Sequence, residues 1–166
     1  MITIKAEALS VDAFLPFGFY ANMIDPDAQK FGSPPIEFFR DMIQQELGGE
    51  SSVSFSTCRV EKREPIIDVS EYHSKTAEGL MPLDNDVLIH VGPAVPGGAP
   101  VPLDEMRVFV VPNGTFVVLN RGVWHHAPFA YNSDSANVLV VLPERSYAND
   151  CTVMESSEAD YIKIEY

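Results

Sequence analysis

At 166 residues the chain is long enough to bury a sizeable core as one domain, and 46% hydrophobic residues exclude a disordered tail. A net charge of −13, from 24 acidic and 11 basic residues, argues against a nucleic-acid partner, whose phosphates would be repelled. It leaves room for a small anion in a locally positive pocket. No apolar run approaches the roughly 20 residues that span a bilayer, and the opening MITIKAEALSVDAF lacks the basic-then-apolar order of a signal peptide. A soluble, cytoplasmic protein with no membrane partner is expected. Cys58 and Cys151 lack the short spacing of zinc or redox pairs and read as small buried side chains.

In chain order, Ser10 before VDAF reads as an N-cap and a short helical turn ending near Pro16 and Gly18. Residues 21–33 read as polar and irregular. PPIEFFRDMIQQELGG then predicts an amphipathic helix: Pro35 suits its first turn, Ile36, Phe39, Met42, Ile43 and Leu47 recur at three- and four-residue spacing, and Gly48–Gly49 stop it.

After residue 50 the period changes. SVSFSTCRV alternates, and EPIIDVSEYH, DVLIHVG, MRVFVVP, GTFVVLN, ANVLVVLP and DYIKIEY are short and β-branched, punctuated by Pro and Gly. PNGT at 112–115 reads as a hairpin turn. Short strands with regular turn signals predict an antiparallel barrel or double-sheet sandwich in a single domain over residues 1–166.

Ligand-capable side chains form two clusters. Glu71 and His73 share a strand face, because the side-chain period is two, and Glu78 follows after a turn. His125 and His126, in LNRGVWHHAPF, are strand neighbours, so only one of them faces inward. Imidazole with carboxylate suits Zn, Ni, Mn or Fe. His90, in DVLIHVGPA, is assigned to structure.

The spacing Glu71-x-His73-x4-Glu78-x6-Asn85 resembles the first cupin motif, with Glu71 for the leading His and Asn85 for the closing Gly. Gly114-x5-Asn120-x-Gly122-x2-His125 resembles the second, with Asn120 for Pro and Phe129 for the final Asn. More of the chain is similar to the ureidoglycolate lyase (ureidoglycolate hydrolase) family of allantoin catabolism. The resemblance lies in the opening IKAEALSVDAFLPFG, the E-x-H pair with Met81-Pro82 beyond it, RGVWHHAPFA and ERSYANDCTVME.

The resemblance implies a mainly β, cupin-like double-stranded antiparallel β-barrel (jelly roll) with one or two N-terminal helices. It implies a metal-assisted lyase that breaks the C–N bond of ureidoglycolate to give glyoxylate and urea. The implied metal set is His73, Glu71, Glu78 and His125 around a divalent ion, nickel by resemblance or Zn, Mn or Fe. His126, Glu78 and Asn120 are the implied catalytic groups. Arg59, Arg121 or Arg145 anchors the small carboxylate substrate, because arginine's fork pairs both oxygens. Trp124 packs in the barrel or walls the pocket. A homodimer is implied as well. The family pattern has His where Asn120 stands and Gln where Glu78 stands. Those departures leave open a cupin enzyme acting on another small hydroxy or keto acid or a sugar, or a non-catalytic small-molecule-binding cupin.

Overall fold

The computed structural model describes residues 2–166. The chain opens with strands β1 (Ile2–Lys5) and β2 (Glu7–Ala8), helix α1 (Val11–Phe14) and β3 (Gly18–Asn22). Next come β4 (Lys30–Ser33), β5 (Ile36–Phe39), β6 (Val53–Glu61), β7 (Ile66–Ile67), β8 (Val69–Tyr72) and β9 (Glu78–Pro82). β10 (Val87–Val91), β11 (Arg107–Val111), β12 (Thr115–Leu119), β13 (Phe129–Ala130) and β14 (Ser135–Pro143) build most of the remainder. Helix α2 (Ser146–Asn149), β15 (Thr152–Glu155) and β16 (Ile162–Glu165) close it. Among the described residues, no helix is long and apolar enough to cross a membrane.

Two sheets face each other. One has the order β3-β12-β9-β14-β6, the other β13-β10-β11-β2. Period-two alternation explains the core between them. Val87, Ile89 and Val91 of β10 join Val117 and Leu119 of β12, Leu80 of β9 and Phe109 of β11 in one buried cluster. The other face of β10 and β11, with Leu88 and Val108, packs against a third layer, β1-β16-β7, through Ile67, Ile162 and Ile164, and Trp124 joins the same cluster from the segment after β12. β10 and β11 are therefore apolar on both faces, which is why DVLIHVG and MRVFVVP read as nearly continuous hydrophobic runs. This is the expected cupin-like double-stranded barrel.

Ser10 caps α1 as its position predicts, its Oγ accepting the Ala13 N–H at 3.4 Å. The second predicted helix is absent. β5 instead pairs with β4 in a hairpin, Phe31 opposite Phe38, and residues 40–47 run without helix. Gln45 explains the extended path: its Nε2 donates to the carbonyls of Ala77 at 3.0 Å and Val141 at 2.8 Å, while the Ala77 N–H donates to the Glu46 carbonyl. Ile36, placed on the predicted core stripe, is 78% exposed. The second short helix is α2, near the C-terminus rather than the N-terminus.

PNGT forms a turn, with Gly114 at φ +77° and the Thr115 N–H donating to the Pro112 carbonyl at 3.0 Å. It is not a hairpin, because β11 and β12 belong to opposite sheets. The turn carries the chain across the core, tied to the β9–β10 connection by Gly114 N–H donating to Pro82 and Asn113 N–H donating to Asp86 Oδ1.

Candidate active site

Three remote segments meet at one end of the barrel. Glu71 lies in β8 and His73 just beyond it, Glu78 opens β9, and His125 sits in an extended stretch after the Gly122 turn. His125 is bridged to Glu71 by a reciprocal backbone pair at 2.6 and 2.8 Å. Gly122, at φ +78°, makes the bend, and its N–H donates to the His73 carbonyl at 2.7 Å. Adding a Cβ there would bring it to 3.0 Å from Ala94 Cβ in a backbone conformation that L side chains avoid.

One oxygen, Glu78 Oε2, receives two imidazoles: His73 Nε2 at 2.9 Å and His125 Nε2 at 3.0 Å. All three side chains are buried. The other ring nitrogen of each histidine meets a backbone carbonyl, Asp150 for His73 and Val123 for His125. A carbonyl only accepts, so both Nδ1 atoms carry the proton and a neutral ring turns its Nε2 lone pair toward the carboxylate. Lone pairs then face lone pairs. The arrangement requires positive charge, supplied by protonated imidazole or by a cation.

The ionisation equilibria follow from that demand. Burial alone would raise the Glu78 carboxyl, but the charge and hydrogen bonds of His125 and His73 hold it at about 2. Burial pulls the His73 and His125 pKa down, and Glu78 more than reverses it, so both are raised. The ligand atoms of His73, Glu78 and His125 all lie within 4.8 Å of one another, as do those of Glu71, His73 and Cys151. Two imidazoles oriented through their far nitrogens, beside a buried carboxylate, fit a borderline divalent ion.

Most of these groups, though not His125, border a cavity of ≈ 240 Å³. Glu71, His73 and Glu78 line it, with His126, Arg145, Tyr147, Cys58 and Cys151. His125 and His126 are thus not simply inward and outward. His125 is buried beside Glu78, and His126, half-buried, reaches the cavity wall. Burial lowers the His126 pKa, with the Glu71 carboxylate opposing.

Other predicted residues fall elsewhere. Asn120 and Arg121 line a separate, more open cavity with Phe19 and Gln45, and Arg121 pairs with Glu46 at 3.0 Å. The cause is alternation: Leu119 points into the core, so Asn120 cannot. Trp124 is 1% exposed in the outer core against Tyr72, one residue out of phase with the inward Val123 and His125, and forms no pocket wall. Arg59 is an exposed residue of β6 and does not reach the cavity. Of the three arginines only Arg145 lines it. His90 is buried in the outer core, its Nε2 3.2 Å from Ser70 Oγ, in keeping with a structural assignment.

Two features escape sequence reasoning. Both cysteines are partly accessible cavity residues rather than core filler. Burial, then the neighbouring Glu71, pushes the Cys151 thiol up to about 12, and burial raises Cys58. Asp150 clamps the His73 loop, its carboxylate accepting from Ser74 N–H (2.9 Å), Ser74 Oγ–H (2.7 Å) and Lys75 N–H (2.8 Å). The run ERSYANDCTVME holds Asp150 and Cys151, but their place beside His73 follows only from the pairing of β15 with β8.

The family model described as ureidoglycolate lyase matches residues 1–163. A ureidoglycolate lyase of Chelativorans sp. (strain BNC1) is 30% identical over 129 residues, 75% of this chain and 76% of that protein. One from Pseudomonas aeruginosa (strain UCBPP-PA14) is 31% identical over 130 residues, 76% of this chain and 75% of that protein. Among solved structures, a dTDP sugar isomerase from Desulfovibrio desulfuricans G20 is similar with a TM-score of 0.51 at 12% identity. The match covers 87% of this chain and 89% of that one, a likeness of fold alone. On the reach of the family match and the identity of these relatives, the chain belongs to the ureidoglycolate lyase family.

Proposed function

We propose that this protein is a ureidoglycolate lyase that splits ureidoglycolate into glyoxylate and urea with the help of a divalent ion. The carrying observation is the convergence of His73 Nε2 and His125 Nε2 on the buried Glu78 Oε2, with His73 and Glu78 lining a cavity of ≈ 240 Å³. That volume suits a small hydroxy acid. His73, His125 and Glu78 would hold the ion, with Glu71 beside them, in keeping with their donor chemistry. When bound, a divalent ion supplies Lewis acidity that lessens the cost of charge developing on substrate oxygen.

The chain's own groups divide the rest of the work. Cleavage removes the hydroxyl proton, forms the aldehyde C=O and breaks the C–N bond, and the departing nitrogen takes the electron pair and a proton. His126, on the cavity wall and held neutral by burial, is suited to accept the hydroxyl proton and return it to the leaving urea. Arg145 is the arginine placed to pair with the substrate carboxylate.

The whole chain acts as one cupin-like domain, working as a homodimer in the cytoplasm. Phe31 and Phe38 support the dimer: they pair directly across β4 and β5 yet are 53% and 62% exposed. The deciding experiment measures glyoxylate released from ureidoglycolate by protein stripped of metal and reloaded separately with Ni²⁺, Zn²⁺, Mn²⁺ or Fe²⁺. Turnover that depends on the ion and disappears in His73→Ala is expected. No turnover with a full complement of each ion would remove the lyase reading.

A further inference from the structure

β15 pairs antiparallel with β8, Thr152 opposite Tyr72 and Val153 opposite Glu71. Continued by one residue, that register sets Cys151 opposite His73. The preceding residue tightens the placement, because the Asp150 carbonyl accepts from His73 Nδ1–H and its carboxylate holds the Ser74–Lys75 backbone. The thiol is therefore positioned by the same segment that orients the imidazole. Its Sγ–H donates to Glu71 Oε2 at 3.2 Å, and the ligand atoms of Glu71, His73 and Cys151 lie within 4.8 Å of one another. His73 is common to this donor set and to the His73–Glu78–His125 set.

We propose that Cys151 is a thiolate ligand of the active-site ion, joining His73 and Glu71 in a mixed N/O/S shell that selects thiophilic zinc, nickel or cobalt over manganese. This rests on the metal reading above and deepens it by naming the ion's chemical class. Without the ion, the S–H spends its proton on Glu71. On binding, that proton passes to buffer, and the sulfur and the carboxylate both turn to the cation with no change of oxidation state. Thiolate is a soft donor, whereas manganese prefers carboxylate, carbonyl and water. A shell of imidazole and carboxylate alone would discriminate far less. Cys58 lines the same cavity but belongs to neither donor set, which makes it the internal control.

Cobalt(II) added to metal-free full-length protein reads the shell directly. The wild type is expected to show d–d bands together with a near-ultraviolet sulfur-to-cobalt charge-transfer band. Cys58→Ser should keep that band, and Cys151→Ser should lose it while retaining the d–d bands. By chelator competition, Cys151→Ser should weaken zinc at least about tenfold, as loss of a far-side partner already does, and leave manganese unchanged. Cobalt held with no charge-transfer band in the wild type overturns the thiolate ligand and leaves the metal site standing. A band that survives Cys151→Ser, or vanishes in Cys58→Ser, overturns it too. A protein that takes up no cobalt overturns this inference and the metal reading together.

Discussion

His73 and Glu78 meet acceptor to acceptor: the imidazole spends its Nδ1 proton on the Asp150 carbonyl and sets Nε2 2.9 Å from a buried carboxylate oxygen. Such a contact persists only with a positive charge between or upon the partners. Replacing Glu78 by Gln tests this at nearly constant shape. The amide donates to one imidazole but brings no charge, so the ion loses its one buried anionic ligand. Glu78→Gln is expected to lower kcat by about 100-fold or more, the scale of several kcal/mol of electrostatic stabilisation. Bound metal should fall in parallel by elemental analysis. Full activity with a full metal content would show that Glu78 is no ligand.

Asp150 is expected to act on the site by holding the segments that present His73 and Cys151. Its carboxylate accepts three hydrogen bonds from Ser74 and Lys75, which fix the loop that presents the imidazole. Asp150→Ala should destabilise the fold by about 2 kcal/mol, a typical value for hydrogen bonds to a charged group. It should also weaken zinc by about 10–100-fold, as outer partners of ligating histidines do. Urea unfolding measures the first and chelator competition the second. A variant with wild-type affinity would mean that the Nδ1 bond to the Asp150 carbonyl suffices.

The strands were legible and their partners were not. DVLIHVG, MRVFVVP and GTFVVLN carry local patterns that survive in β10, β11 and β12, yet nothing local says that the turn at Gly114 crosses between sheets. The helix expected at 34–49 failed because aromatic and branched residues at three- and four-residue spacing also satisfy a short hairpin, and Gln45 finds carbonyl partners only in remote β9 and β14. At the site, the Glu71, His73, Glu78 and His125 spacing was readable because each lies on a patterned strand or beside a glycine turn. Asn120 misled through closeness in sequence, since alternation turns it away from the cavity, while Trp124 packs in the core, the first of its two expected places, and walls no pocket. Cys151 stood in the family-like run ERSYANDCTVME but with no role attached, because only the β15–β8 register brings it to His73.

His90 sets an acid limit to stability. Burial first, then the neighbouring His125, lowers its pKa to about 3, so the fold holds the ring neutral. The unfolded chain takes up that proton near pH 6.5. With the folded pKa below the unfolded one, the contribution is complete above pH 6.5 and is lost as pH falls from there toward 3. The loss approaches about 1.4 kcal/mol per pH unit. His90→Leu removes the titrating group from an apolar layer. Urea unfolding at pH 7, 6 and 5 should show the variant gaining on the wild type at each step down. Parallel curves would refute the assignment.

Phe38 tests the dimer without touching the cavity. It stands on the exposed β4–β5 hairpin opposite Phe31, and neither residue lines the site. Phe38→Asp places a charge where an apolar contact would close, and should halve the mass measured by light scattering while leaving turnover per chain intact. An unchanged mass would move the interface elsewhere on the molecule.

Arg145 is expected to anchor the substrate because, of Arg59, Arg121 and Arg145, it is the one that lines the cavity, and its guanidinium is only loosely engaged. Arg63 is committed to the Ala127 and Pro128 carbonyls and lies 3.8 Å over the Phe129 ring. Arg121 pairs with Glu46 beside the other cavity. Among the described residues Arg145 pairs with Glu144 alone, at 3.2 Å, with both side chains mostly exposed. Such a pair contributes about 0–1 kcal/mol, less than a bidentate contact with a substrate carboxylate inside the cavity. Arg145→Gln should therefore raise KM for ureidoglycolate by about 10–100-fold, the loss of one charge-assisted interaction, with kcat changed far less. Arg145→Lys should recover part of the affinity through its point charge, and Arg121→Gln should behave as wild type. If Arg121→Gln raises KM while Arg145→Gln does not, the substrate sits in the outer cavity beside Asn120, and the chemistry cannot run at His73 and His125.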